Sequence, residues 1–386
     1  MSIVMKFVGL DYHQSGVQVC VIDEHGKVLV NRKCEDSWPI ISAIVSRYGD
    51  RVHAAIEACN GAANLADQLV EKAGWSVSLA HPGYVARIKQ SPDKTDWGDA
   101  RLLADLVRVG YLPRVWHAPE RIRDLRRLVR YRQQLVAHRR NVKLRIRALL
   151  RDHRLKVTDA NAWTKAWLTS VRTTDRLPGE SRWIIDQHLE ELEHVTRQIR
   201  IAEARLQQAI SDDRLVERLL TYPGIGLVTA VTIRAEIGRF DRFRTGKQLS
   251  RFCGLSPRNA SSGQRQADAG VIKAGNPELR RVLTQSAQRL IRYEPRWAKL
   301  GHQLLERGKP KPLIVAAVAN RWIRGLHHQL TSYGIGNEGL RSGSAKGHAP
   351  SPPPSHRPST AGRRADARAT AKGLNGSRWK NETIHR

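Results

Sequence analysis

KFVGLDYHQSGVQVCVIDEHGKVLVNRKC, residues Lys6–Cys34, is the stretch that decides the fold. Lys6–Asp11 and Gly16–Asp23 are short runs rich in β-formers, and Glu24-His25-Gly26-Lys27 is a turn into a third such run, Val28–Cys34. These three runs predict an antiparallel meander. The period then changes. Trp38–Tyr48 has helical apolar spacing, His53–Cys59 (HAAIEAC) is a strand, Ala62–Ala73 a helix and Trp75–Ala80 (WSVSLA) a strand, before a mainly helical stretch to Val109.

The order β-β-β-α-β-α-β-α is that of an RNase-H-like domain, although other α/β folds also combine antiparallel strands with strand–helix alternation. Within it the acids fall at suggestive places. Asp11 ends the first predicted strand and Glu57 lies near the end of HAAIEAC, where neighbouring strands aim side chains at a common point. Asp96 and Asp99, in KTDWGDARLLADL, are three apart at a helix start and share one face. Hard divalent cations take oxygen ligands, and a metal pair activates a nucleophile and stabilises a leaving oxygen at a phosphodiester. An Asp at a helix start is also a common cap or dipole partner, whereas acids in apolar strand runs are costly to bury without a partner or metal.

The charge map divides the chain. Its 386 residues carry a formal net charge of +30, yet residues 1–117 contain 13 Lys+Arg against 13 Asp+Glu, so the whole excess lies beyond residue 117. Such an excess points to a polyanionic partner. Glu120 to about Leu155 reads as one long helix holding 12 Arg, with Ile122, Leu125, Val129, Val142, Ile146 and Leu149 near helical spacing. Arg182–Ile210 places Ile185, Leu192, Ile199 and Leu206 seven apart, with Leu189 and Ile210 between and Thr196 and Glu203 interrupting. This is a coiled-coil seam that either folds back on the first helix or pairs with another subunit.

Residues 212–335 read as predominantly helical with Gly/Pro turns. Leu219–Gly226 (LLTYPGIG), followed by a helical run, has the form of a helix-hairpin-helix whose Gly224 and Gly226 amides approach a DNA phosphate; an ordinary helix–helix turn reads the same way. FCGLSPRNASSGQRQADAGVIKAGNPELRRVL then joins a Ser/Gly loop to a basic helix start, with Arg258, Lys273, Arg280 and Arg281 as nucleic-acid contacts. Ser262 sits before Gly263 in that loop. Loop serines are usually turn residues, and this segment supplies neither base nor metal to activate one. Residues 336–386, rich in Pro, Ser, Gly, Ala and Arg without period, read as a disordered basic tail. The four cysteines are not closely paired, and no apolar run reaches membrane-spanning length, so the expected setting is the bacterial cytoplasm, with no membrane partner.

FVGLDYH, AAIEACNG, KTDWGDARLLADL, LLTYPGIG and CGLSPRNASSG…IKAGNPELRR occur in this order over residues 5–333. The combination resembles the DEDD-type transposases of bacterial insertion sequences, the RNA-guided (bridge-RNA) recombinases with a RuvC-like N-terminal domain. The resemblance implies an α/β plus α architecture: a RuvC-like catalytic domain over 1–117, an Arg-rich helical connector over 118–211, a mainly helical transposase domain over 212–335 and the tail. It places the family's acids on Asp11, Glu57, Asp96 and Asp99, binding Mg²⁺ with Mn²⁺ as the alternative, and its nucleophile on Ser262, which forms a covalent phosphoserine link to DNA. It further implies double-stranded DNA partners at element ends and target, a guide RNA, and a dimer or tetramer in which acids and serine form a composite site. Ser261 adjoins Ser262 and competes for the role, the loop from Gly263 to Lys273 differs in length from some relatives, and the tail has no family counterpart. Two other readings stay open: a RuvC-like nuclease that uses water, and a nucleic-acid-binding protein without catalysis.

Overall fold

The computed structural model describes residues 5–89, 95–155, 162–259, 268–271 and 275–332. The chain divides into two compact units, the first ending at Pro119 and the second starting at Glu120. Ser261, Ser262, Lys273 and the tail from 336 lie outside the described residues, as does the side chain of Arg258.

The first unit is built on strands β1 (Lys6–His13), β2 (Gly16–Ile22), β3 (Val28–Cys34), β4 (Val52–Glu57), β5 (Ser76–Ala80) and the short β6 (Arg114–Val115). Their order across the sheet is β3-β2-β1-β4-β5-β6. The β1–β2–β3 meander is antiparallel, β4 runs parallel to β1 and β5 parallel to β4, and β6 closes the edge antiparallel to β5. Helices α1 (Trp38–Ser46) and α2 (Ala62–Ala73) join these strands, followed by α3 (Pro82–Ile88) and α4 (Asp96–Arg108).

Strand alternation sorts the side chains into two layers. Val8, Leu10, Ala54 and Ile56 pack with Ile41, Leu65 and Leu69 of α1 and α2 on one face. Ala55 and Ala80 meet Leu103 and Leu106 of α4 on the other, beside Cys20 and Ile22 on Ala100 and Ala104. Alternation from Leu10 and Ile56 therefore assigns the next residues, Asp11 and Glu57, to the α4 side. The first strand runs two residues past Asp11, because Tyr12 and His13 continue the pairing with Val17 and Gly16 in a tight hairpin.

The second unit contains α5 (Glu120–Asp152), α6 (Lys165–Thr173), α7 (Gly179–Ala209), α8 (Arg214–Leu220), α9 (Leu227–Ile237), α10 (Gly246–Phe252), a ribbon of β7 (Pro257–Asn259) and β8 (Asp268–Val271), α11 (Pro277–Tyr293), α12 (Pro295–Glu306) and α13 (Lys311–Ser332). Helices α5 and α7 fold back on each other: His153 meets Ser181, His138 meets Glu191 and Arg132 meets Glu203, a sequence of contacts that makes the pair antiparallel. Glu203 interrupts the apolar line of α7 because it accepts from Arg132 at 2.7 Å. On α5 it is Leu150, with Val142 and Ile146, that is buried; Leu149 is only partly covered. The far end of this hairpin packs with α8 to α11 and α13 in one core around Phe240, Leu249 and Leu283.

Among the described residues, ion clusters around the buried acids Asp213 and Glu236 hold that core. Asp213 caps α8 through Leu215 and Val216 N–H at 3.1 Å each and receives Arg234 Nε at 2.6 Å, with both side chains under a tenth exposed. Glu236 of α9 accepts from Asn276 at 2.8 Å, and its carboxylate lies 3.2 Å from Arg130 and 3.7 Å from Arg126. Buried charges persist only when paired and hydrogen-bonded.

Candidate active site

Gly9 lets the site form. A Cβ at this position would lie 1.8 Å from the Ala100 carbonyl oxygen and 2.6 Å from Ala104 N, so only glycine lets α4 approach β1 this closely. The approach carries the first turn of α4 to the end of β1. Thr95, not Asp96, caps that turn: its Oγ1 accepts from Gly98 N–H at 3.2 Å. The capping role that a helix-start aspartate often fills is thus taken, and Asp96 is available for another. A second tether holds the turn from the sheet side. Gln18, register partner of Asp11, donates to Asn31 at 2.7 Å, and Asn31 donates to the Trp97 carbonyl at 3.0 Å.

Asp11 and Asp96 meet through His13. The His13 Nε2 lies 3.1 Å from Asp11 Oδ2 and 3.4 Å from Asp96 Oδ1, and donor atoms of these three residues lie within 4.8 Å of one another. Asp11 is the covered member, with its side chain 14% exposed against 45% for Asp96. Burial pushes the Asp11 carboxyl above the usual carboxylate value, the His13 contact opposes this, and the charges of Asp99 and Asp96 add to the rise. Asp99 sits one turn along α4, ion-paired with Lys89. Glu57 closes β4 one residue beyond the Leu10–Ile56 register pair. Burial raises the Cys59 thiol, and the charges of both Glu57 and Asp11 act on it in the same direction, as neighbours on one rim do.

The four acids therefore fall into a close pair, Asp11 and Asp96 joined by His13, with Asp99 and Glu57 flanking it. His13 went unread in the sequence although period-two alternation places it on the same face of β1 as Asp11. Oxygen donors suit Mg²⁺ or Mn²⁺, and a neutral imidazole adds a nitrogen donor that first-row transition ions accept readily. The donor set fits such a cation.

In the second unit, Gly224 and Gly226 form the α8–α9 turn. Gly224 takes φ +78° and a Cβ there would press on Leu290, so its glycine serves close packing against α11, whereas the space around Gly226 is open. A groove of about 280 Å³ beside this turn is lined by Gly224, Gly226, Arg289 and Tyr293. Arg280 donates to the Gly275 carbonyl at 3.1 Å and Arg281 pairs with Glu278 at 3.0 Å, so both already have protein partners.

Comparison with known proteins identifies the family. Residues 8–154 match a transposase family model of the DEDD type, and residues 216–302 match the model described as transposase, IS116/IS110/IS902 family. The transposase for insertion sequence element IS1111A of Coxiella burnetii is 27% identical over 291 residues, 75% of this chain and 79% of that protein. A probable family 20 transposase of Pseudomonas aeruginosa is 28% identical over 330 residues, covering 81% and 93%. The transposase for IS1328 of Yersinia enterocolitica is 25% identical over 324 residues, covering 83% and 95%. With residues 8–154 under the first model and 216–302 under the second, the chain belongs to the IS116/IS110/IS902 family of insertion-sequence transposases.

Proposed function

We propose that this chain cuts and rejoins the DNA of an insertion sequence through a covalent serine link, with Asp11, Glu57, Asp96 and Asp99 as the metal-binding acids and Ser262 as the nucleophile. The observation that carries the reading is the convergence of Asp11, His13 and Asp96 on one point at the C-terminal end of the central strand β1. In it, residues 1–117 are the catalytic carboxylate domain, 118–211 the connector and 212–335 the DNA-handling domain.

In the chemical step the Ser262 hydroxyl oxygen forms a bond to phosphorus as the bond to the departing deoxyribose oxygen breaks, and the hydroxyl proton ends on that oxygen. One phosphoester replaces another, so rejoining is the reverse reaction and needs no outside energy source. Bound Mg²⁺, with Mn²⁺ as the alternative, supplies charge neutralisation and polarisation at the phosphate. The chain's own groups prepare the place: His13 holds Asp11 and Asp96 in mutual orientation, and Lys89 balances Asp99. Double-stranded DNA is gripped at the α8–α9 turn, where Gly226 offers its amide and Arg289 borders the groove. The net charge of +30 supports a guide RNA as a further partner; a homo-oligomer, dimer or tetramer, as the working assembly follows from the family resemblance alone.

The test is covalent trapping with purified protein, RNA transcribed from the flanks of its coding region, element-end DNA and Mg²⁺. Wild type should give a detergent-resistant protein–DNA adduct that Ser262→Ala and Asp11→Ala both abolish. Cleavage by Ser262→Ala without an adduct would replace the serine step with attack by water, and an adduct lost only in Ser261→Ala would move the nucleophile by one residue.

A further inference from the structure

The α5–α7 hairpin carries a second feature of unusual chemistry. A groove of about 480 Å³ lies on it, with Leu168, Leu189 and Leu192 as its apolar floor and Arg139, Lys143, Arg197 and Arg200 among its walls. Its volume falls in the range of pockets that enclose small organic groups. Trp163 stands at its edge. The Lys143 ammonium lies over the Trp163 ring, 4.6 Å from its centroid, and the Trp167 ring supports Trp163 at 4.6 Å. Trp163 holds φ +73°, a left-handed backbone that a bulky side chain rarely adopts and that clusters at ligand-binding sites.

The cations of this groove outnumber the one acid that lines it with them, Glu193, which pairs with Arg172. Two further acids on the hairpin are engaged by other residues: Glu203 by Arg132, and Glu191 by His138 and His188. Among the described residues, Arg139, Lys143 and Arg200 have no carboxylate partner. Burial, and then the charge of Arg139, hold the Lys143 ammonium below its ordinary value. An anion at the rim relieves both.

We infer that this groove binds an unpaired nucleotide of single-stranded nucleic acid, its base entering over the leucine floor against Trp163 and its flanking phosphates held by Arg139, Lys143 and Arg200. An aromatic face beside uncompensated cations is the combination that single strands select, because every base has a face to stack and every linkage a charge. A duplex offers the charge but keeps its bases stacked on one another. Lys143 now covers the ring face, and its flexible stem lets the ammonium move to a phosphate as a base takes its place. The inference rests on nucleic acid being the chain's partner, but not on the metal site or on Ser262.

The experiment uses the full chain in EDTA and fluorescent 12-nucleotide probes of one sequence as single-stranded RNA, single-stranded DNA and duplex DNA, read by anisotropy. Trp163→Ala should weaken single-strand binding about ten-fold, Lys143→Met should weaken it and flatten its salt dependence, and duplex affinity should stay unchanged. Trp163→Phe, which keeps a stacking face, should retain most of the affinity and guards against a folding defect. Loss confined to the RNA probe assigns the groove to RNA, and equal loss for both single strands assigns it to any unpaired strand. Parallel loss of duplex affinity, or no loss at all, overturns the inference. A change in self-association by sedimentation with unchanged oligonucleotide binding does so too, by making the groove a protein interface. Failure of wild type to bind any probe would instead count against the nucleic-acid reading itself, and loss of DNA cleavage with groove binding intact would fall on the metal and serine chemistry alone.

Discussion

Gly9 on β1 and Ala100 on α4 touch so closely that a single added methyl on Gly9 would stand 1.8 Å from the Ala100 carbonyl oxygen. The neighbour is helix backbone, which cannot swing aside. Gly9→Ala should therefore destabilise the first unit by at least about 1–3 kcal/mol, the usual cost of overpacking a core, and separate Asp96 from Asp11. Urea denaturation followed with Mn²⁺ titration checks both effects. Wild-type stability and affinity together would show that α4 can shift without consequence.

Asp11 makes the opposite prediction for stability. Its carboxyl is raised above the ordinary 3.8 by burial, with the charges of Asp99 and Asp96 adding to the effect and His13 opposing it. A raised folded value means that the favourable contribution is present below the unfolded value and is lost as pH rises through the folded one. At neutral pH without metal, ionised Asp11 is a liability. Asp11→Asn should raise the melting temperature in EDTA at pH 7, with the gain shrinking near pH 4, while metal binding is lost. A lower melting temperature at pH 7 would mean that Asp11 is held by contacts its ionised form needs.

His13→Ala should reduce Mn²⁺ affinity roughly ten-fold or more, the common cost of losing a group that orients or completes a metal site. The readout is isothermal titration, with the nitrogen coupling in the electron paramagnetic resonance of bound Mn²⁺ as a second signature. Unchanged affinity would make His13 a bystander between the two acids.

The Asn31 tether gives a milder test of the same geometry. Asn31→Ala removes the hydrogen bond to the Trp97 carbonyl and leaves Gln18 without its acceptor. A cost of about 1–3 kcal/mol is expected for the group left unsatisfied. Hydrogen exchange should show faster opening of the first turn of α4. Protection equal to wild type would place the restraint in the Gly9 contact alone.

In the second unit, Arg234→Met should be among the most damaging substitutions away from the active site. It leaves Asp213 buried without its cation, at a cost of roughly 3–5 kcal/mol. Asp213→Ala also removes the α8 cap, worth about 1 kcal/mol more. Thermal denaturation of the two variants checks the order.

Most of the first unit was legible because its strands are separate β-rich runs and its turns carry glycine. The limits fall where a short pairing has no period of its own. Arg114–Val115 becomes an edge strand only because Leu79 and Ala80 lie beside it, and the β7–β8 ribbon is hidden in polar sequence. The acids were legible by type and spacing. Which of them meet was not, since that depends on Gly9, a residue whose role is to be absent where α4 arrives. His13 was readable in principle, two residues from Asp11 on the same strand face. The hairpin was legible as two long helices, but its folding back is decided by pairs such as Arg132 with Glu203, which interrupt the apolar pattern they stabilise.

Asp11, Glu57, Asp96 and Asp99 are proposed to act together on a phosphodiester. The most direct measurement is Mg²⁺-dependent cleavage of element-end DNA by the four single Asp→Asn or Glu→Gln variants, with Asp50→Asn, on an exposed loop, as the control. Each of the four should lose cleavage by about a hundred-fold or more, while DNA binding in EDTA persists and the control cuts like wild type. Cleavage at the wild-type rate by Asp11→Asn would overturn this, since no site built around the end of β1 could then be the place where DNA is cut.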